Sequence, residues 1–135
     1  NLDGITKTLQ LGLESAKINA ADVDLISAHA TATKMGDIIE AQATGRVFGE
    51  GPYVVGLKGY MGHTMAACGA FETIMTLYMM QEGFIAPTLN LEEVDARCAM
   101  IRHVQSLMEM KATIAAIQNF AFGGVNTSLL IRKWS

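Results

Sequence analysis

Basic stripes, clustered metal ligands and long apolar runs are all missing from this sequence, and each absence removes a class of function. Ten Lys and Arg stand against 13 Asp and Glu, a net charge of −3, and no basic residues cluster. Nucleic-acid binding therefore has no electrostatic footing. The longest apolar tracts, such as TIMTLYMM, fall far short of the roughly 18 residues that cross a bilayer, and no membrane association is expected. NLDGITK at the N-terminus has neither the basic start nor the apolar stretch of a signal peptide. Three histidines lie far apart, and no C-x-x-C or H-x-x-x-H pair occurs, so no metal site is expected. Two cysteines make no disulfide framework, and reduced thiols in a cytoplasmic protein are the expectation.

What is present is apolar. Half of the 135 residues are hydrophobic and 17% are charged, more apolar than an ordinary soluble domain. The length suits one domain with a real core. The surplus implies a deeply buried centre or a face that packs on another domain or subunit.

Periodicity predicts an amphipathic helix carrying Ile5, Leu9, Leu13 and Ala16 and ending near Asn19. VDLISAHAT reads as a short buried strand entering a loop, and GDIIEAQATGRVFG as a second helix with Asp37 in its first turn. YVVGLK is a second strand. From about Met65 to Gln81 a nearly all-apolar helix is predicted, and a helix apolar all round is buried all round. A loop holds GFIAPTLNLEEVD, MIRHV is an edge strand, and the residues from Thr113 make two strands around Gly-Gly. Alternating helices and strands give an α/β layered fold with a mixed sheet.

Chemistry gathers where strands end. His29 lies in SAHATAT, Lys58 and His63 in LKGYMGH, and a glycine-rich loop, NFAFGGVN, follows a third strand. Ligands of open α/β sheets bind beyond the carboxyl ends of strands. KGYMGHTMAACGAFE also brings a lysine, a histidine, Cys68 and Glu72 together, the parts of a thiol nucleophile site. Small neighbours flank Cys68, however, and the predicted helix places it a turn or more from the N-terminus, where a thiol is inert. Packing is the favoured role. His103 and Cys98 have no supporting motif, and the nine methionines read as irregular core.

Four motifs in order, AHATATKMGD with EAQA, LKGYMGHTMAACGAFE, APTLN and NFAFGGVN, resemble the C-terminal half of β-ketoacyl-acyl carrier protein synthases. That family usually shows A-H-G-T-x-T, K-S-x-x-G-H and N-x-F-G-F-G-G-x-N. The resemblance runs from about residue 3 to the end. It implies a thiolase-like fold of two similar halves, of which residues 1–135 are the second, with the nucleophilic cysteine in the first. The implied reaction is a decarboxylative Claisen condensation of malonyl carrier protein with an acyl thioester, in fatty-acid or polyketide and polyene synthesis. His29 and His63 would then stabilise the enolate oxygen, and Lys58 paired with Glu72 would hold them in orientation and tautomer. Thr31 and Thr33 would bind the phosphopantetheine arm. Phe122 would gate the acyl pocket, and Gly123 and Gly124 would let the chain turn beside the substrate.

The resemblance implies no cofactor beyond that carrier-borne phosphopantetheine. Its partners are acyl carrier protein, the N-terminal half and a second copy in a homodimer. By itself the chain is expected to be inactive, and its start at Asn1 without Met fits a reading frame that continues upstream. The alternative is a non-catalytic scaffold or dimerising half-domain of the same fold. Three departures bear on substrate range: Ala30 and Ala32 for the glycine and serine of AHGTST, Gly59–Tyr60–Met61 within the lysine motif, and Ala121 for a hinge glycine. The added methyls are expected to tighten the pantetheine tunnel and stiffen the gate.

Overall fold

A computed structural model describes residues 1–134. Helix α1, Leu2–Ala16, opens with the Asn1 side chain accepting from Gly4 N–H at 3.1 Å. It closes on Lys17 in the left-handed region, with Lys17 N–H and Ile18 N–H donating back to Glu14 and Leu13 carbonyls. Its buried stripe is Ile5, Leu9 and Leu13, at helical spacing, whereas Ala16 faces solvent.

Strand β1 (Leu25–Ala28) is buried throughout. Helix α2 spans Gly36–Phe48, strand β2 Tyr53–Gly56, and the one-turn helix α3 Lys58–Met61. Helix α4 covers Cys68–Glu82. After it come the two-residue strands β3 (Phe84–Ile85), β4 (Arg102–His103) and β5 (Met108–Glu109), then the long pair β6 (Ile114–Phe120) and β7 (Asn126–Arg132).

One sheet runs in the order β4-β2-β1-β6-β7. β2 and β6 both pair parallel with β1, with Leu25 opposite Tyr53 and Ala115, while β7 turns back antiparallel on β6. β1, β2 and β6 therefore all end at the same margin of the sheet. Helices α1 and α2 cover one face through Ile5, Leu9, Ile26, Ala43, Val54 and Ala116. Helix α4 covers the other, where Met79 and Met80 meet Leu25, Val55, Leu57 and Ala115. This is the α/β layered fold with a mixed sheet.

Three expectations change. The apolar helix starts later than Met65: Gly62 and Met65 adopt left-handed φ of 74° and 54°, a tight turn fills Met65–Ala67, and regular helix begins only at Cys68. Within this chain the helix is also bare on one side, with Phe71, Ile74, Leu77 and Tyr78 exposed while Glu72 and Thr76 are buried. Its inner face is partly polar and its outer face apolar, the reverse of a surface helix. Finally, the stretch read as loop contains β3, which pairs antiparallel with β5.

Candidate active site

Because β1, β2 and β6 run parallel, their C-terminal ends deliver His29, Lys58 and Asn119 to one place. The buried side of α4 adds Glu72, and the turn after α3 adds His63. The rings of His29 and His63 meet edge to face with centroids 5.5 Å apart. Phe120, near the end of β6, lies 5.8 Å from the His29 ring on another side.

An ion pair lies against the His29 ring. Lys58 Nζ lies 2.5 Å from Glu72 Oε1, with side chains 6% and 0% exposed. The same ammonium donates to the His29 carbonyl and stands 3.3 Å from His29 Nδ1. Glu72 Oε2 accepts from Asn119 Nδ2 at 3.0 Å. Both carboxylate oxygens are thus engaged, as a buried charge requires.

The arrangement sets the protons on both imidazoles. Lys58 can only donate, so His29 Nδ1 facing it is an acceptor and the ring proton belongs on Nε2. Burial and the Lys58 charge, with a smaller push from His63, hold His29 down to about 4 against an opposing hydrogen bond with Asn119. His29 is therefore neutral near pH 7. His63 Nδ1 accepts the Met65 N–H at 3.1 Å, which likewise leaves the proton to Nε2. Two imidazole N–H donors side by side can stabilise an oxygen on which negative charge develops.

Of the residues singled out in the sequence, His29, His63, Lys58 and Glu72 form this one cluster. Thr31 and Thr33 follow on the same loop, their hydroxyls 3.3 Å apart. Phe122, wholly exposed, sits on the β6–β7 connection with Gly123 and Gly124, whose φ of 84° and 82° favour glycine. Ala121 is extended at φ −110° and ψ 161°, a conformation any residue adopts. The Ala30 methyl points at Gly56, where an added Cβ would come within 2.9 Å of it. His103 is half-buried on its edge strand, its Nε2 2.9 Å from the Cys98 carbonyl, and takes no part in the cluster.

Cys68 is where the sequence misleads. It is the first residue of α4, not a turn inside it, and its Sγ lies 3.2 Å from His63 Nδ1. It is 1% exposed, and Glu72 is committed to Lys58 and Asn119, so no carboxylate orients His63 toward the thiol.

Two further residues were not singled out. Asn119 is the second ligand of Glu72, and its position one residue before Phe120 in NFAFGG was its only signal. Glu40, buried on α2, accepts the His29 and Ala30 N–H groups through its two oxygens at 2.7 and 2.8 Å. It clamps a loop in which Ala30 and Ala32 have left-handed φ of 38° and 59°. Burial pushes Glu40 up to about 7, outweighing those two hydrogen bonds. The readable signal was a carboxylate on the side of α2 that carries Ala41. A cavity of about 660 Å3 lies behind this loop, lined by Glu40, Asp37, Ala41, Val54, Ile101 and others, and neither His29 nor His63 borders it. Among the described residues no group of three His, Cys, Asp or Glu is placed to hold a metal ion, and no helix is long and apolar enough to cross a membrane.

The same arrangement of elements occurs in known proteins. The family profile "Beta-ketoacyl synthase, C-terminal domain" matches residues 1–92. The 3-oxoacyl-[acyl-carrier-protein] synthase 1 of Escherichia coli K12 is 37% identical over 112 residues, covering 82% of this chain and 28% of that protein. The crystal structure of a beta-ketoacyl synthase from Burkholderia phymatum STM815 superposes with a TM-score of 0.95 at 41% identity, over all of this chain and 33% of that one. The ishigamide ketosynthase/chain length factor gives 0.95 at 33% identity, over all of this chain and 34% of that one. The chain spans about a third of the length of each of these relatives.

Proposed function

The chain belongs to the beta-ketoacyl synthase family, as its C-terminal domain, and on that premise we propose that it carries the enolate-stabilising half of a condensing site. The observation that bears most weight is the pair of imidazoles, 5.5 Å apart, with the buried Lys58–Glu72 ion pair against His29. When a malonyl thioester loses carbon dioxide, the electron pair moves onto the thioester oxygen. The Nε2–H groups of His29 and His63 meet that charge in a site already organised for it. Lys58 keeps His29 Nδ1 as an acceptor and never has to give up its proton.

The nucleophile in this reading comes from outside residues 1–135. Cys68 and Cys98 are both buried, and burial pushes the Cys98 thiol up, away from the reactive thiolate. A cysteine-bearing half would take the acyl group from acyl carrier protein, and the carbanion equivalent formed beside His29 and His63 would attack it, making the carbon–carbon bond and freeing the cysteine. That half would also cover Phe71, Ile74, Leu77 and Tyr78 on α4, an apolar patch of the sort that marks an interface. Thr31 and Thr33 would bind the pantetheine arm on one side. On the other, Phe122 with Gly123 and Gly124 would gate the acyl pocket. A homodimer of the complete synthase in the cytoplasm belongs to the same reading.

The test uses malonyl carrier protein with a synthase that contains this chain. His29→Ala or His63→Ala should each lower decarboxylation by about a hundredfold or more, the usual cost of one oxyanion donor. The chain alone should release no ketoacyl product. Condensation by the chain alone, or decarboxylation that survives both substitutions, would sink the reading.

A further inference from the structure

His63 occupies an irregular turn, exposed, between a one-turn helix and Met65 in left-handed backbone. Its side chain makes two polar contacts, and both fall on Nδ1: the Met65 N–H at 3.1 Å and Cys68 Sγ at 3.2 Å. Among the described residues the ring has no third polar anchor, so beside its edge-to-face packing on His29 its orientation rests on what touches that nitrogen. Thr64 Oγ1 donates to the Cys68 sulfur at 3.4 Å. The sulfur is thus already an acceptor, and its own S–H has His63 Nδ1 as a neighbour. At 1% exposure no water competes for that proton.

Resting on the condensing-site reading above, the geometry points to Cys68 as a positioning residue for His63, its S–H donating to Nδ1 alongside the Met65 N–H. The chain of donors runs from the Thr64 hydroxyl to the thiol to the imidazole. With two donors on Nδ1, the ring proton is confined to Nε2 and the ring plane is fixed against α4. A small apolar residue such as alanine here would leave Nδ1 with the Met65 N–H alone. The thiol that resembles a nucleophile in the sequence thereby acts through its hydrogen, and no bond to sulfur forms or breaks. S–H is a weak donor, so its contribution is an increment to orientation and not the whole of it.

Side-chain 15N spectra of the full chain near neutral pH test this. In the unsubstituted chain the His63 proton should reside on Nε2, with the Nδ1 resonance drawn away from that of a free acceptor. Cys68→Ala should return Nδ1 toward the free-acceptor position, and Cys68→Ser, which restores a donor, should reverse the change. A proton on Nδ1 in the unsubstituted chain, or one Nδ1 resonance common to all three, overturns the proposal. The unsubstituted spectrum assigns the proton even if the alanine variant fails to fold. In a synthase containing this chain, Cys68→Ala should lower malonyl decarboxylation about two- to tenfold at unchanged KM, the range of one modest hydrogen bond, with recovery in Cys68→Ser. Spectra as expected in a synthase that decarboxylates nothing would uphold the contact and sink the condensing reading instead.

Discussion

Lys58 Nζ and Glu72 Oε1 meet 2.5 Å apart with side chains 6% and 0% exposed, one from the end of β2 and the other from the buried side of α4. The pair ties the sheet to the helix at the point where the two histidines converge. Removing one partner strands the other charge. Glu72→Ala or Lys58→Ala should each cost about 3–5 kcal/mol in urea unfolding. Lys58→Met with Glu72→Leu should cost clearly less than the sum of the single losses. Additive losses would mean that the two side chains are not coupled.

Titration should separate two groups of opposite effect, the half-buried His29 and the buried Glu40. His29 is held to about 4, below its ordinary 6.5, so the unfolded chain takes up its proton before the folded one does. Its contribution to stability is present above about pH 6.5 and is lost as pH falls toward 4. Glu40 is held up to about 7 from an ordinary 4.5. Its contribution is present below about pH 4.5 and is lost as pH rises through 7. Urea midpoints across this window should lose part of their acid fall in His29→Asn and part of their alkaline fall in Glu40→Gln. A histidine resonance of His29 titrating near 6.5 would contradict the half-buried, Lys58-facing placement.

Ala30 and Gly56 share one space. A Cβ added at Gly56 would fall 2.9 Å from the Ala30 Cβ, with Thr88 behind it at 3.5 Å. Gly56→Ala should therefore destabilise by about 1–3 kcal/mol, the usual range for overpacking. Ala30→Gly removes both the clash and the strain of a side chain at a left-handed φ of 38°, so the double variant should recover most of the loss. Thermal unfolding of the four chains reads the coupling, and its absence would show that the methyl points elsewhere.

Helix α4 should tolerate charge on its bare side. Ile74 is 63% exposed, so Ile74→Lys should change the chain's own stability by no more than about 0.5 kcal/mol, as at an ordinary surface site. Binding of an apolar dye should fall with it. A loss above about 2 kcal/mol would show the face to be packed within the chain.

The α1 stripe of Ile5, Leu9 and Leu13, the second helix, the strand-end positions of His29 and Lys58, and the β6–β7 hairpin were legible because they rest on local periodicity and turn chemistry. The motif order in the chain was enough to name the family, since the chemistry needs those residue types at those strand ends. The start of α4 was not legible. Left-handed backbone at Met65 is a property of how the turn packs and is not encoded in the type of residue, and its three-residue delay brings the buried Cys68 to the side of His63 as well. Glu40 and Asn119 were likewise invisible in role, because each binds a group 10 or 11 and 47 positions away. By itself the sequence determined which side chains are candidates for the chemistry. The parallel register of β1, β2 and β6 decided which of them meet. Burial of Lys58 and Glu72 beside His29, and the Met65 N–H against His63, decided which nitrogens carry the protons, because tautomer depends on neighbours that only folding brings together.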